Sequence, residues 1–216
     1  MIGRWKKDLY PKSIQDYLNA FKQKRKLDLQ EQRFVVFDTE TTGFDLKKDR
    51  VLSIGAVAIN GNKIHLKDSF ECFLQQSVFN SGTVEIHGIR KNGSQNKLEE
   101  KEAIAAFLKY ISNAVLVGHH VGFDIAMINA ALSRLKYPKL KNKALDTGVL
   151  IAKLPNADRQ GVPPTLDDLA TRFKVPLNDR HTAQGDAYIT ALVFVKMLRS
   201  LQKLRPVSIS DLFLNP

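Results

Sequence analysis

The sequence predicts an α/β sandwich built on a mixed sheet, and three observations carry that reading. Three apolar or alternating runs come first, at residues 34–38, 51–59 and 63–74. A tight-turn signal, Asn60-Gly61-Asn62, joins the second to the third as a hairpin. Helical spacing then takes over and alternates with two further short apolar runs, so antiparallel and parallel strands must share one sheet.

The elements follow in order. Residues 1–33 form a basic extension in which nine Lys and Arg oppose Asp8, Asp16, Asp28 and Glu31, with Trp5, Tyr10, Tyr17 and Phe21 interleaved. Ser13 is placed to cap a helix whose stripe is Ile14, Tyr17, Leu18 and Phe21. That stripe favours packing on the core over a nucleic-acid-gripping arm. In the third run, Ile64, Leu66, Phe70, Cys72 and Leu74 keep nearly a period of two, leaving His65 on the surface. Residues 98–111 read as a helix with Ile104, Phe107, Leu108 and Ile111 on one face. A buried strand at 114–118, a helix at 123–135 and a last strand at 143–146 complete a five-stranded count. Thr165 caps a helix at 166–173, and 183–201 is the long final helix. The clearest loop is 156–164, with Gly161, Pro163 and Pro164. The core domain therefore runs from 34 to 203, and 204–216 is a tail.

Composition limits what such a domain does. No apolar run reaches the ~18 residues of a membrane span and no signal-type segment follows Met1, so a cytoplasmic protein is expected. Cys72 is the single cysteine, which rules out an internal disulfide and a thiolate zinc cluster and suits a buried strand residue. The 33 Lys and Arg against 22 Asp and Glu give a formal charge of +11, a prior for polyanionic partners.

Against that background a few acids stand out. In FVVFDTETTGF, Asp38 and Glu40 are two apart on a strand and project to one face at its end. Two neighbouring carboxylates there repel and lose hydration, and they need a cation, a shared proton or several donors. Asp124 opens a helix after the strand ending at Gly118, in VGHHVGFD, and Asp186 lies early in the last helix, with His181 five residues before it. Each alone has a plain explanation: a helix dipole welcomes an N-terminal acid, and a loop histidine is ordinarily solvated. Together, four carboxylates converging at strand ends are stable around two divalent ions, and hard oxygen ligands favour Mg²⁺ or Mn²⁺ over zinc. Such ions clamp the attacking and departing oxygens of a phosphoryl transfer, and an imidazole beside them takes a proton near neutral pH.

The order Asp38-Thr-Glu40-Thr-Thr-Gly43, His119-His120-x-x-Phe123-Asp124 and His181-x-Ala-x-x-Asp186-Ala resembles the three motifs of the DEDDh 3′-to-5′ exonucleases, the family of the bacterial polymerase III epsilon proofreading subunit. Ile86-His87-Gly88-Ile89 resembles that family's intervening His-Gly segment, so the likeness covers residues 34 to about 200. The resemblance implies a ribonuclease-H-like fold. It implies Asp38, Glu40, Asp124 and Asp186 as metal ligands and His181 as general base. Thr41, Gly43 and Phe44 would hold and wedge the terminal nucleotide, His87 would meet its sugar-phosphate and Phe123 would pack near the base. His120 stands where the family often has Asn, His119 is a structural match, and Asp146 is a structural acid. The implied substrate is nucleic acid with a free 3′ end, single-stranded DNA before RNA. An RNA-trimming enzyme and a non-catalytic replisome adaptor are the competing readings. A polymerase or sliding-clamp partner is a weaker expectation: Ser210-Asp211-Leu212-Phe213 is like the end of a clamp-binding peptide but lacks its leading Gln, and packing on its own domain is favoured.

Overall fold

The computed structural model describes residues 10–22, 28–78, 80–90, 93, 95–155 and 162–214. Most of the basic extension's cations, and the 156–161 part of the expected loop, lie outside them. Six strands, β1 (Arg33–Thr41), β2 (Val51–Asn60), β3 (Lys63–Leu74), β4 (Lys97–Leu98), β5 (Val115–Gly118) and β6 (Ala144–Asp146), form one mixed sheet in the order β4-β3-β2-β1-β5-β6. β1, β2 and β3 are antiparallel neighbours, whereas β5 pairs parallel to β1 and β6 parallel to β5. The five expected strands are all present. The sixth, β4, is a two-residue edge strand paired to Phe73 and Leu74, too short to leave a periodic signal.

Alternation along β1 sorts the core into two layers. Phe34 and Val36 point to a cluster with α5 (Thr147–Leu150), α6 (Leu166–Phe173), α7 (Ala183–Leu204) and α8 (Ile209–Phe213). Val35 and Phe37 point to the opposite cluster with α1 (Lys12–Ala20), α3 (Glu100–Ile111) and α4 (Val121–Arg134). Being covered on both faces, β2 is buried along nearly its whole length. Phe34, Phe37, Phe107 and Phe194 anchor the layers and are fully enclosed. Truncating any of them to Ala costs about 3–5 kcal/mol.

Several details differ from the sequence reading. Pro11, not Ser13, occupies the cap position of α1, and Ser13 lies inside the first turn. Proline's fixed φ and missing N–H suit a helix start, so the capping hydroxyl is not needed. The stripe Ile14, Tyr17, Leu18 packs as expected. Leu66 is 62% exposed, because β3 bulges between His65 and Ser69 and throws it off the inward face. His65 is exposed and Cys72 buried, with burial pushing the thiol up to about 12. The tail forms α8, closed by a Ser208–Asp211 capping box, and buries Leu212 in the core. Helix α2 (Ser81–His87) is absent from the sequence reading, although Asn80 caps it by accepting from the Gly82 N–H and Gly88, in the left-handed region, ends it. Among the described residues no helix is long and apolar enough to cross a membrane.

Candidate active site

The same alternation that buries Phe34 and Val36 carries Asp38 and Glu40 onto the α7 side of the sheet, where β1 runs out of core. The N-terminus of α7 meets them there. Thr182 caps it by accepting from the Gly185 N–H at 3.0 Å, and Asp186 stands in its first turn. Two close backbone approaches make this possible. A Cβ on Gly55 of β2 would lie 2.2 Å from Ala183 C and Gln184 N, and one on Gly185 would lie 2.0 Å from the Asp179 carbonyl oxygen. Glycine at both positions lets α7 and its entering loop descend onto the strand ends.

Single oxygens of Asp38, Glu40 and Asp186 all lie within 4.8 Å of one another. Asp124 reaches the same cleft from α4 but stands beside this trio. One of its oxygens accepts from Thr39, from the backbone N–H at 2.9 Å and the hydroxyl at 2.6 Å. Thr39 is the residue between the two β1 acids and faces the opposite layer, which strand alternation already dictated.

The electrostatic cost of this arrangement is written in its proton affinities. Burial, then repulsion from Asp124, Asp186 and Glu40, holds the Asp38 carboxyl well above the usual carboxylate range. Glu40 is pushed up to about 7 by burial and then by Asp186 and Asp124. Burial takes Asp124 to about 7 despite the Thr39 hydrogen bonds. Asp186 is also raised by burial, against the pull of Arg180.

Sequence reasoning missed Arg180. Its Nη1 lies 2.5 Å from Asp186 Oδ2 and its Nε 2.6 Å from Asp167 Oδ1, so it bridges the cluster to α6 as a built-in counter-ion. One guanidinium cannot neutralise four carboxylates, and Asp186 Oδ1 remains buried with no hydrogen-bond partner. An oxygen-rich donor set with an orphaned buried carboxylate oxygen fits a hard divalent cation. The adjacent position of Arg180 to His181 was the only available signal for it.

A pH dependence follows. In the unfolded chain these carboxyls ionise near 4, whereas in the folded chain Glu40 and Asp124 hold protons to about 7. The folded state therefore binds more protons across that window, and stability is lost as pH rises through it. In EDTA the Tm should fall between about pH 5.5 and about pH 8. Mn²⁺ should restore it at the upper end. A Tm in EDTA that rises over the same window contradicts these shifts.

Around the acids the remaining predicted residues share one cleft of about 250 Å³. Thr41, Gly43, Phe44, His87, Phe123 and His181 line it together with Asp38, Glu40, Asp124 and Asp186. Phe44 is 84% exposed, yet its ring centroid lies 5.5 Å from that of Phe123, so two aromatic faces border the acids. The Thr41 hydroxyl donates to the Gly43 carbonyl at 2.8 Å and fixes the turn that presents Phe44. His87 Nδ1 accepts from the Ile89 N–H at 3.0 Å, which leaves the proton on Nε2, and burial lowers its pKa to favour the neutral ring. His181 is exposed at the mouth of the cleft, with Nδ1 3.4 Å from Arg180 Nη1.

His119 and His120 also line the cleft. His119 Nδ1 pairs with the Thr147 hydroxyl at 3.0 Å, and burial with neighbouring His120 brings its pKa down to about 4. Asp146 is structural: its Oδ1 accepts from the Gly148 and His120 N–H groups.

Comparison with known proteins agrees with this geometry. The Exonuclease (RNase T) family model matches residues 35–194. The chain is 36% identical over 183 residues to the PolC-type DNA polymerase III of Caldanaerobacter subterraneus subsp. tengcongensis, covering 84% of this chain and 13% of that protein. It is 31% identical over 166 residues to the DNA polymerase III epsilon subunit of Treponema pallidum, covering 76% of each. Among solved structures it resembles E. coli exonuclease I in complex with a dT13 oligonucleotide, with a TM-score of 0.66 and 18% identity over 81% of this chain and 42% of that one. Exonuclease X in complex with 5′-overhanging duplex DNA gives a TM-score of 0.63 and 18% identity over 83% and 96%. The chain thus spans only a small part of the PolC-type relatives and less than half of exonuclease I.

Proposed function

The chain belongs to the exonuclease family, and from that premise we propose that it is a metal-dependent 3′-to-5′ exonuclease that releases nucleoside monophosphates from single-stranded DNA ends. The observation that carries this is the trio Asp38, Glu40 and Asp186 with oxygens inside 4.8 Å, flanked by Asp124 and His181. Asp38, Glu40, Asp186 and the free side of Asp124 would hold two divalent ions, Mg²⁺ or Mn²⁺. When bound, such ions supply the positive charge that makes a hydroxide-like nucleophile and a departing alkoxide affordable.

The chain's own groups do the rest. His181, at the open edge, removes the proton of the attacking water and passes it to solvent. Phe44 and Phe123 present ring faces on which the terminal bases stack. The Nε2–H of neutral His87 donates to a sugar or phosphate oxygen, and Thr41 and Gly43 shape the floor beneath the 3′ end. The preference for a free 3′ end follows from membership of the exonuclease family, and a cleft of about 250 Å³ suits a single terminal nucleotide. A cytoplasmic setting fits a DNA-processing role.

The test is digestion of matched DNA and RNA oligonucleotides, with free and blocked 3′ ends, in Mn²⁺ or Mg²⁺ and in EDTA. Stepwise 3′ shortening of the free DNA end alone, with metal alone, is the expected result. Faster loss from RNA would favour the RNA-trimming alternative, and binding without any release would leave an adaptor.

A further inference from the structure

We propose that Lys139, Lys141 and Lys143 form a track for a nucleic-acid backbone at the end of the domain remote from the acid cluster. The identity of the polyanion, though not the existence of the track, rests on the exonuclease reading. The segment between α4 and β6 carries Lys136, Lys139, Lys141 and Lys143 and no acid. All four are exposed, and among the described residues none joins an ion pair.

The backbone beneath them is fixed. Asn129 Oδ1 accepts from the Leu140 N–H at 2.9 Å, and the Tyr17 hydroxyl accepts from the Lys141 N–H at 2.8 Å while donating to Asn142 Oδ1 at 2.7 Å. Asn142 Nδ2 donates to the Ser112 and Ala114 carbonyls, at 3.0 and 2.8 Å. Leu140, Asn142 and Ala144 therefore turn inward, and Lys139, Lys141 and Lys143 turn the other way in strict alternation, Lys143 with its Nζ 5.1 Å from the Phe213 ring centroid. An extended chain advances ~3.3 Å per residue, which sets the lysines about 6.6 Å apart. That is close to the through-space distance between successive phosphates of an extended single strand, so neighbouring lysines can meet neighbouring phosphates. A solvated face needs neither a pinned backbone nor this spacing.

Position makes the track separate from the catalytic cleft. The segment enters β6 at its N-terminal end, whereas Asp38 and Glu40 lie at the C-terminal end of β1, which β5 and β6 follow in parallel. Register sets the distance: Val35 pairs with Leu116 and Leu116 with Ala144, so Lys143 stands level with Phe34, four residues short of Asp38, and Lys139 lies four residues further back; at ~3.3 Å per residue the track runs from roughly 13 to roughly 26 Å from Asp38 along the strand direction. Lys22 and Lys109 extend the positive surface, because Asn113 Nδ2 donates to the Ala20 carbonyl and draws the ends of α1 and α3 together. A strand whose 3′ end is in the cleft needs several further nucleotides to lie along all three lysines, which a dinucleotide does not have.

The test compares wild type with the triple variant Lys139→Gln, Lys141→Gln, Lys143→Gln by fluorescence anisotropy in EDTA. The probes are single-stranded DNA of about 20 and about 2 nucleotides across a salt series. For the longer probe the slope of log affinity against log salt should become shallower by about 2, at about 0.7 per phosphate contact, while the short probe is unaffected. A control triple, Lys67→Gln, Lys101→Gln, Lys174→Gln, removes the same charge from other exposed positions and should shift the slope less. An unchanged slope, an equal loss for both lengths, or an equal effect of the control overturns the track. If wild type releases no nucleotide from either probe in Mn²⁺, the exonuclease reading fails while these binding arms still decide the track.

Discussion

Asp38→Asn should reduce metal-dependent release of 3′ nucleotides by about 10³-fold or more, the scale of losing one preorganised contact to developing charge. The metal-free fold should be as stable as wild type or more so. Both outcomes have one cause. Asp38 sits among Asp124, Asp186 and Glu40, and burial and their repulsion already hold its carboxyl protonated well above the usual range. The amide keeps the shape and removes a charge that folding must otherwise confine, so the apo protein above about pH 7 gains or loses nothing. What disappears is a hard anionic ligand, and with it the Tm increment that Mn²⁺ gives wild type. Thermal melts with and without Mn²⁺, beside gel-resolved digestion, separate the two. Activity within a few-fold of wild type, or an undiminished Mn²⁺ increment, would remove Asp38 from the metal site.

The acid cluster was legible in sequence because its determinants are local. Alternation in Phe34-Val35-Val36-Phe37 fixes the side on which Asp38 and Glu40 emerge, and the period of α7 fixes where Asp186 falls. The Asn60-Gly61-Asn62 turn and the Thr165 cap were readable for the same reason, and the capping box is present. What escaped is set by tertiary partners. β4 exists because Phe73 and Leu74 offer an edge, Leu66 faces out because a bulge shifts register, and Arg180 joins the acid cluster only because α6 brings Asp167 opposite Asp186. Asp124 lines the cleft, but its hold on Thr39 follows from the crossing of α4 over β1, which no spacing encodes.

Gly55→Ala tests whether that tertiary placement is what the site depends on. The new methyl would lie 2.2 Å from Ala183 C and Gln184 N and 2.5 Å from the Ala183 oxygen, all backbone atoms that no rotamer change can move. β2 cannot yield, since β1 and β3 hold it on both sides and both its faces are buried. The relief must come from α7, a helix of 22 residues whose N-terminal turn would lift from the sheet. Overpacking of this kind costs about 3 kcal/mol. In a chain of this size that corresponds to a Tm lower by roughly 6–12 °C. The lift also carries Asp186 and His181 away from Asp38 and Glu40, so Mn²⁺ should stabilise the variant less than wild type even where both are folded. Gly122→Ala is the matched comparison: nothing lies within 4 Å of its added methyl, and a helical Gly replaced by Ala should gain about 0.5–1 kcal/mol. If Gly55→Ala instead melts with wild type and keeps its Mn²⁺ increment, contact between α7 and β2 is looser than 2.2 Å implies, and the site does not owe its geometry to that glycine.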